Sequence, residues 1–275
     1  MTAAGWLHRN RVLLFRRILS FKPETVAAQE HRRSQRYPVG EDFALKAVLT
    51  TAGRDPDGEP LKSSDGRGRP WGCQIVNLSS TGLNVRVSAA LSAARGDACS
   101  LALKLERYEI ELQGEIAHFR SGREVATCGI ALRFDEFTQQ KGYLQMLEAV
   151  SIGASLKAVP AAKVLQDSPG FRKLQFAGQG DELLSVWQAD GFPAPSAFEF
   201  RFHDHYVRGA PGEPLKVYGR EDSGEGPVGY SMPALNLSAI HAAEVRRLFG
   251  WIVPNLSAEV PATVRGLLAE FLPAK

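Results

Sequence analysis

Two polar clusters carry the residues best suited to chemistry. One is Arg32-Arg33-Ser34-Gln35-Arg36, the other Asn77-Leu78-Ser79-Ser80-Thr81-Gly82. Guanidinium groups clamp phosphates through paired N–H donors and stack on flat rings. Arg32 and Arg36 lie just before Tyr37-Pro38-Val39, where Pro38 biases Tyr37 toward an extended backbone, and no apolar periodicity runs through them. They read as an ordered arm. If extended, it sets the two guanidinium groups roughly 13 Å apart at about 3.3 Å per residue. A basic run by itself reads first as a solvated tail. The second cluster sits between an apolar run of strand length, Trp71 to Val76, and the alternating Leu83 to Val87. Alternation puts Asn77 and Ser79 on one face with Leu78 on the other. Gly82 then permits a positive φ or a close backbone approach. Taken alone, these residue types also suit an ordinary hairpin turn.

The order of the two clusters narrows the reading. Arg-x-x-x-Arg in an arm, one strand, then Asn-x-Ser-x-x-Gly between two strands resembles the PilZ domain, the family of bacterial receptors for cyclic di-GMP. The pattern falls on Arg32, Arg36, Asn77, Ser79 and Gly82 and covers roughly residues 30–150. The resemblance implies a mainly β fold for this part, a six-stranded antiparallel barrel followed by a helix. Phe43 to Thr50, Cys99 to Leu105, Glu109 to Phe119 and Val125 to Phe134 supply the remaining strands, and 138–150 has the spacing of a helix that plugs one barrel end.

The resemblance also implies roles. Arg32 and Arg36 correspond to arm residues that hold phosphates and stack on guanines, Asn77 and Ser79 to the barrel pair that hydrogen-bonds a guanine edge or phosphate, and Gly82 to the turn residue that makes room. Arg33 and Arg86 are further ligand-binding candidates, with a solvent-facing charge as the competing reading. One departure matters: Asp is the commoner first residue of the second motif, and a carboxylate accepts from both N1–H and N2–H of guanine. An Asn amide offers one acceptor oxygen and an NH2 group, so weaker or altered contacts are expected.

The elements around these clusters organise the rest. At 275 residues and 44% hydrophobic, the chain is long enough for two domains. The expected division is a basic N-terminal extension (1–29), the barrel (30–150), a linker (151–170) and a smaller α+β domain of unknown function (171–275). Cys73, Cys99 and Cys128 show no CxxC spacing and read as small buried residues in a reducing cytoplasm. The net charge of +3 is concentrated in residues 1–36, which hold eight Lys/Arg against two Glu. Attraction for a polyanion is thereby localised to the arm. Residues 1–22 are basic and apolar at once. Their longest apolar run is far short of the roughly 20 residues of a membrane span, and Arg16 and Arg17 interrupt a signal-peptide core. A helix docked on protein, a peripheral membrane contact and disorder all remain open there.

Residues 51–70, rich in Gly, Pro and charge, are expected to form a long mobile insertion. In the C-terminal part, 171–176, 183–188, 197–207 and 215–219 read as strands, and 238–253 and 260–272 as amphipathic helices. His203 and His205, on one face of an expected strand, form a weak metal-ligand pair lacking a third ligand. Glu221 and Asp222 look solvated. No GxSxG, HExxH or phosphate-cradling glycine loop occurs, so a binding protein rather than an enzyme is expected, with no metal and no cofactor. The expected ligand is cyclic di-GMP, the expected partner another protein, and no nucleic acid is expected. The alternatives are a ligand-independent adaptor or an enzyme with its chemistry in 171–275. The resemblance places the protein in the bacterial cytoplasm, at the membrane periphery if 1–22 makes the contact above.

Overall fold

A computed structural model describes residues 35–55, 57–59, 68–219 and 239–273. The N-terminal extension, Arg32, Arg33, residues 60–67 of the insertion and the Glu221-Asp222 turn lie outside the described residues. The chain divides into two units at Glu148/Ala149, within one helix.

The first unit opens with a two-residue strand, β1 (Tyr37–Pro38), followed by β2 (Leu45–Thr51), β3 (Arg69–Ser79), β4 (Gly82–Ser88), β5 (Ala98–Leu105), β6 (Tyr108–Arg120) and β7 (Val125–Arg133). All pairings are antiparallel. The order β3-β2-β5-β6-β7-β4 closes on itself because β3 also pairs with β4, giving the expected six-stranded barrel. Closure depends on the 11-residue length of β3. Its first half pairs with β2 from Arg69 to Cys73, and its second half pairs with β4 from Cys73 to Ser79. One chain segment thus serves two neighbours.

The alternation seen in the sequence fills the barrel. Leu49, Ile75, Leu83, Val85, Val87, Leu101, Leu103, Leu112, Ile116, Cys128 and Ile130 are buried, together with Tyr143 and Met146 of α1 (Phe137–Ser155). This helix starts and ends beyond the expected 138–150. The three cysteines are free thiols; Cys99 and Cys128 are buried and Cys73 is half-buried. Burial pushes the Cys99 and Cys128 thiols up to about 12 and Cys73 up to about 11, so none is a ready thiolate. The start of the 51–70 insertion is held, contrary to the loose loop expected. Both Arg54 Nε and Nη2 donate to the Asp97 carboxylate, the first at 3.0 Å. That bond holds the Asp97 carboxyl below its ordinary range.

The second unit is a six-stranded antiparallel meander: β8 (Lys157–Ala158), β9 (Phe171–Ala177), β10 (Leu183–Ala189), β11 (Pro195–Phe202), β12 (His205–Gly209) and β13 (Lys216–Gly219), paired in that order. The helices α2 (Ala239–Ile252) and α3 (Ala262–Ala269) follow. Residues 151–170, the expected linker, hold the end of α1, the short β8 and a 3-10 turn at Ala161–Lys163. Phe198 of β11 stacks on Phe249 of α2 with ring centroids 5.9 Å apart and meets Phe271 edge-on at 5.3 Å. Sheet and helices therefore share one aromatic core. Among the described residues, no helix is long and apolar enough to cross a membrane.

One expected strand, 197–207, is corrected. It is two strands, with Phe202 paired to His205 across a tight turn at His203 and Asp204. His203 adopts φ 49° there, so His203 and His205 do not share one strand face. A positive φ is uncommon for a non-glycine residue and was not signalled by the sequence. His205 is buried, its ring centroid 5.4 Å from that of His241 on α2.

Burial, followed by the imidazoles of His241 and His203, lowers the His205 pKa from 6.5 to about 4, with Asp204 opposing. The folded state thus prefers neutral His205. Its contribution, up to roughly 3 kcal/mol, is complete above the unfolded-chain pKa near 6.5 and is lost as pH falls toward 4. Thermal unfolding of the full chain is expected to weaken between pH 7 and 4.5 more steeply in wild type than in His205→Gln. Parallel Tm profiles would remove this assignment.

Candidate functional site

The β3–β4 hairpin carries the second motif, and its local order has a definite origin. Ser79 pairs with Gly82, leaving Ser80 and Thr81 as the turn. Leu78 and Leu83 face the core, and Asn77 pairs with Asn84 on the outer side. Ser79 is only 3% exposed, and its hydroxyl donates to the Gly82 carbonyl at 2.9 Å. From α1 the buried Tyr143 hydroxyl donates to the Ser79 carbonyl at 2.7 Å, with the Gly82 carbonyl at 3.1 Å. Burial pushes the Tyr143 phenol well above its ordinary range, which keeps it a donor.

Gly82 is required by space. A Cβ there would lie 2.3 Å from the Ile130 carbonyl oxygen of β7. The close-approach reading of this glycine is the one the backbone uses. A side chain at 82 would push β4 off β7 and open the barrel beside the motif.

The arm arrives at the same edge. Tyr37 and Pro38 pair with Leu78 and Asn77, and the Val39 N–H donates to the Val76 carbonyl at 3.0 Å. Arg36, exposed, immediately precedes this ladder. Backbone pairing therefore brings Arg36 into the neighbourhood of Asn77, Ser79 and Gly82. Arg86 stands further along β4, exposed, in an outer row with Gln74, Thr127 and Arg120. This row places two guanidinium groups on the same barrel face.

Two residues of this face escaped the sequence reading. Across the strands, one row runs Pro38, Asn77, Asn84, Gly129, His118. A Cβ on Gly129 would lie 1.9 Å from the His118 ring, so the imidazole covers that glycine. The row thus ends in a flat ring seated on bare backbone. Asn84 was accessible from hairpin register alone, being opposite Asn77. His118 was not: two strands, β4 and β7, lie between it and Asn77, and only the closed topology aligns them. The side-chain oxygens of Asn77 and Asn84 are both sealed from solvent and accept no hydrogen bond.

In the second unit, the imidazoles of His203, His205 and His241 are the nearest competitor. Among the described residues, no group of three or more His, Cys, Asp or Glu side chains is arranged to hold a metal ion.

Residues 30–149 match the family model described as PilZ domain, a little under half of the chain. No curated protein matches the chain.

The geometry predicts how the motif is kept in shape. Tyr143→Phe is expected to lower barrel stability by about 1–2 kcal/mol, the price of leaving a buried carbonyl without its donor. Gly82→Ala is expected to be more damaging, because the clash is with backbone. Chemical denaturation followed by fluorescence measures both, and a Gly82→Ala protein as stable as wild type would refute the close-approach argument.

Proposed function

Taking residues 30–149 as the PilZ domain they are, we propose that the protein is a cyclic di-GMP receptor whose ligand sits on the barrel face around Asn77, Ser79 and Gly82 and is closed over by the arm. PilZ domains are ligand-binding receptor domains rather than enzymes. The observation that carries the reading is the β1–β3 pairing, which sets the arm's Arg36 next to the second motif. Arg32 and Arg36 contribute phosphate clamps and guanine stacking, Arg33 and Arg86 further positive charge. The ligand is a dianion, and a basic arm hinged at a strand edge supplies an attraction that differs between open and closed arrangements. Such a difference is what a ligand needs to shift an equilibrium. The changed arm is then read by a partner protein.

Ser79 has a structural part in this reading. Its hydroxyl hydrogen is committed to the Gly82 carbonyl and the residue is buried, so its contribution is to fix the hairpin that carries Asn77. Asn77, whose side-chain oxygen has no hydrogen-bond donor in the ligand-free fold, is the residue this reading assigns to the guanine edge.

Isothermal titration calorimetry with cyclic di-GMP tests the proposal. Arg36→Ala and Arg32→Ala are each expected to weaken binding by about tenfold or more, the loss of one charge-assisted contact. Equal affinity in wild type and both variants would overturn it. Ligand is also expected to protect the chain from limited proteolysis around residues 22–36; an unchanged cleavage pattern counts against arm closure.

A further inference from the structure

We propose that Asn84 is a base-specificity residue, reading the donor edge of a guanine together with Asn77. The inference rests on the cyclic di-GMP reading above and names how the site recognises its base.

The argument begins with hydrogen-bond capacity. Guanine presents two adjacent donor groups, N1–H and the exocyclic N2–H2. A carboxylate at the first motif position can accept from both, whereas Asn77 has a single acceptor oxygen. The second acceptor has to come from elsewhere. Asn84 lies directly opposite Asn77 on β4, and opposed residues of an antiparallel pair start about 5 Å apart at Cβ. Both side chains stand on the outer side, with Leu78 and Leu83 turned into the barrel.

The second observation is that neither side-chain oxygen has a donor. The simplest local solution would be for one amide NH2 to serve the other's oxygen, yet both oxygens are sealed from solvent and unpaired. Buried acceptors left in this state are unfavourable. A group bringing two N–H donors in a row relieves both at once, and one bringing a single donor does not. Both residues are half-buried rather than enclosed, so rotation of each side chain about its own torsions brings its oxygen to the barrel surface.

The test compares cyclic di-GMP with cyclic di-IMP, which lacks the exocyclic amino group, by calorimetry on the full chain. Asn84→Ala is expected to weaken cyclic di-GMP binding by about tenfold while leaving cyclic di-IMP nearly unchanged. In an Asn77→Asp background, which supplies both acceptors from one side chain, Asn84→Ala is expected to lose much of its effect. Circular dichroism confirms that the variants remain folded, and Asn84→Ser keeps an oxygen at the position if Ala does not fold. Equal losses for both dinucleotides would show that Asn84 only holds the strand or the arm, and would overturn the inference. No loss for either would do the same. If wild type binds neither dinucleotide, the receptor reading itself fails, an outcome distinct from both.

Discussion

A phenolic hydrogen from α1 reaches the carbonyls on either side of the Ser79–Gly82 turn, and the absence of a side chain at Gly82 lets that turn press against β7. These two facts depend on each other. The helix can place Tyr143 in the barrel mouth only if the hairpin closes the last gap between β4 and β7, and the hairpin keeps its shape only if its inward carbonyls find donors. A recognition motif on the outside is thereby shaped from the inside. Residues that never face solvent decide where the exposed ones stand.

The outer face is then a matter of register. A strand pair with fixed register converts positions remote in the chain into neighbours: Pro38, Asn77, Asn84, Gly129 and His118 come from five strands yet fall in one row. The polar side chains of Asn77, Asn84 and His118 are ill suited to a core, and the alternation with Leu78, Leu83, Val85 and Cys128 keeps them out of it. The adjacent row carries Arg86 and Arg120. An acceptor pair, a flat imidazole and positive charge lie side by side because the barrel is closed, and they are what the proposed cyclic dinucleotide ligand calls for.

Much of this was legible in the amino-acid order, for identifiable reasons. The barrel strands alternate cleanly because one face is buried, and Gly82 was readable as a glycine needed either for a positive φ or for a close approach, a choice that only its contact with β7 decides. The 197–207 segment was misread as one strand because its turn uses His203 and Asp204 rather than glycine, with the positive φ borne by a histidine. The β1 pairing was invisible, since two residues are too few to show a pattern. His118 was invisible for another reason: proximity produced by closure leaves no local trace. The held start of the insertion is a third kind of miss, because Arg54 finds Asp97 more than forty residues away.

On the proposed receptor reading, the neutral residue at position 77 has a physical logic. A carboxylate would offer guanine two acceptors, but it would also draw the guanidinium groups of the arm and of β4 toward itself and reduce the positive potential available to a dianion. An amide leaves that potential intact. What it loses is the second acceptor, and the strand opposite offers one at Asn84 with no added charge. Splitting a carboxylate's two oxygens between two amides keeps the acceptor pattern that selects a guanine edge while the attraction for phosphate stays undiminished. In that proposed arrangement, base choice belongs to the barrel and charge capture to the arginines, so a mutation that alters one need not directly rewrite the other.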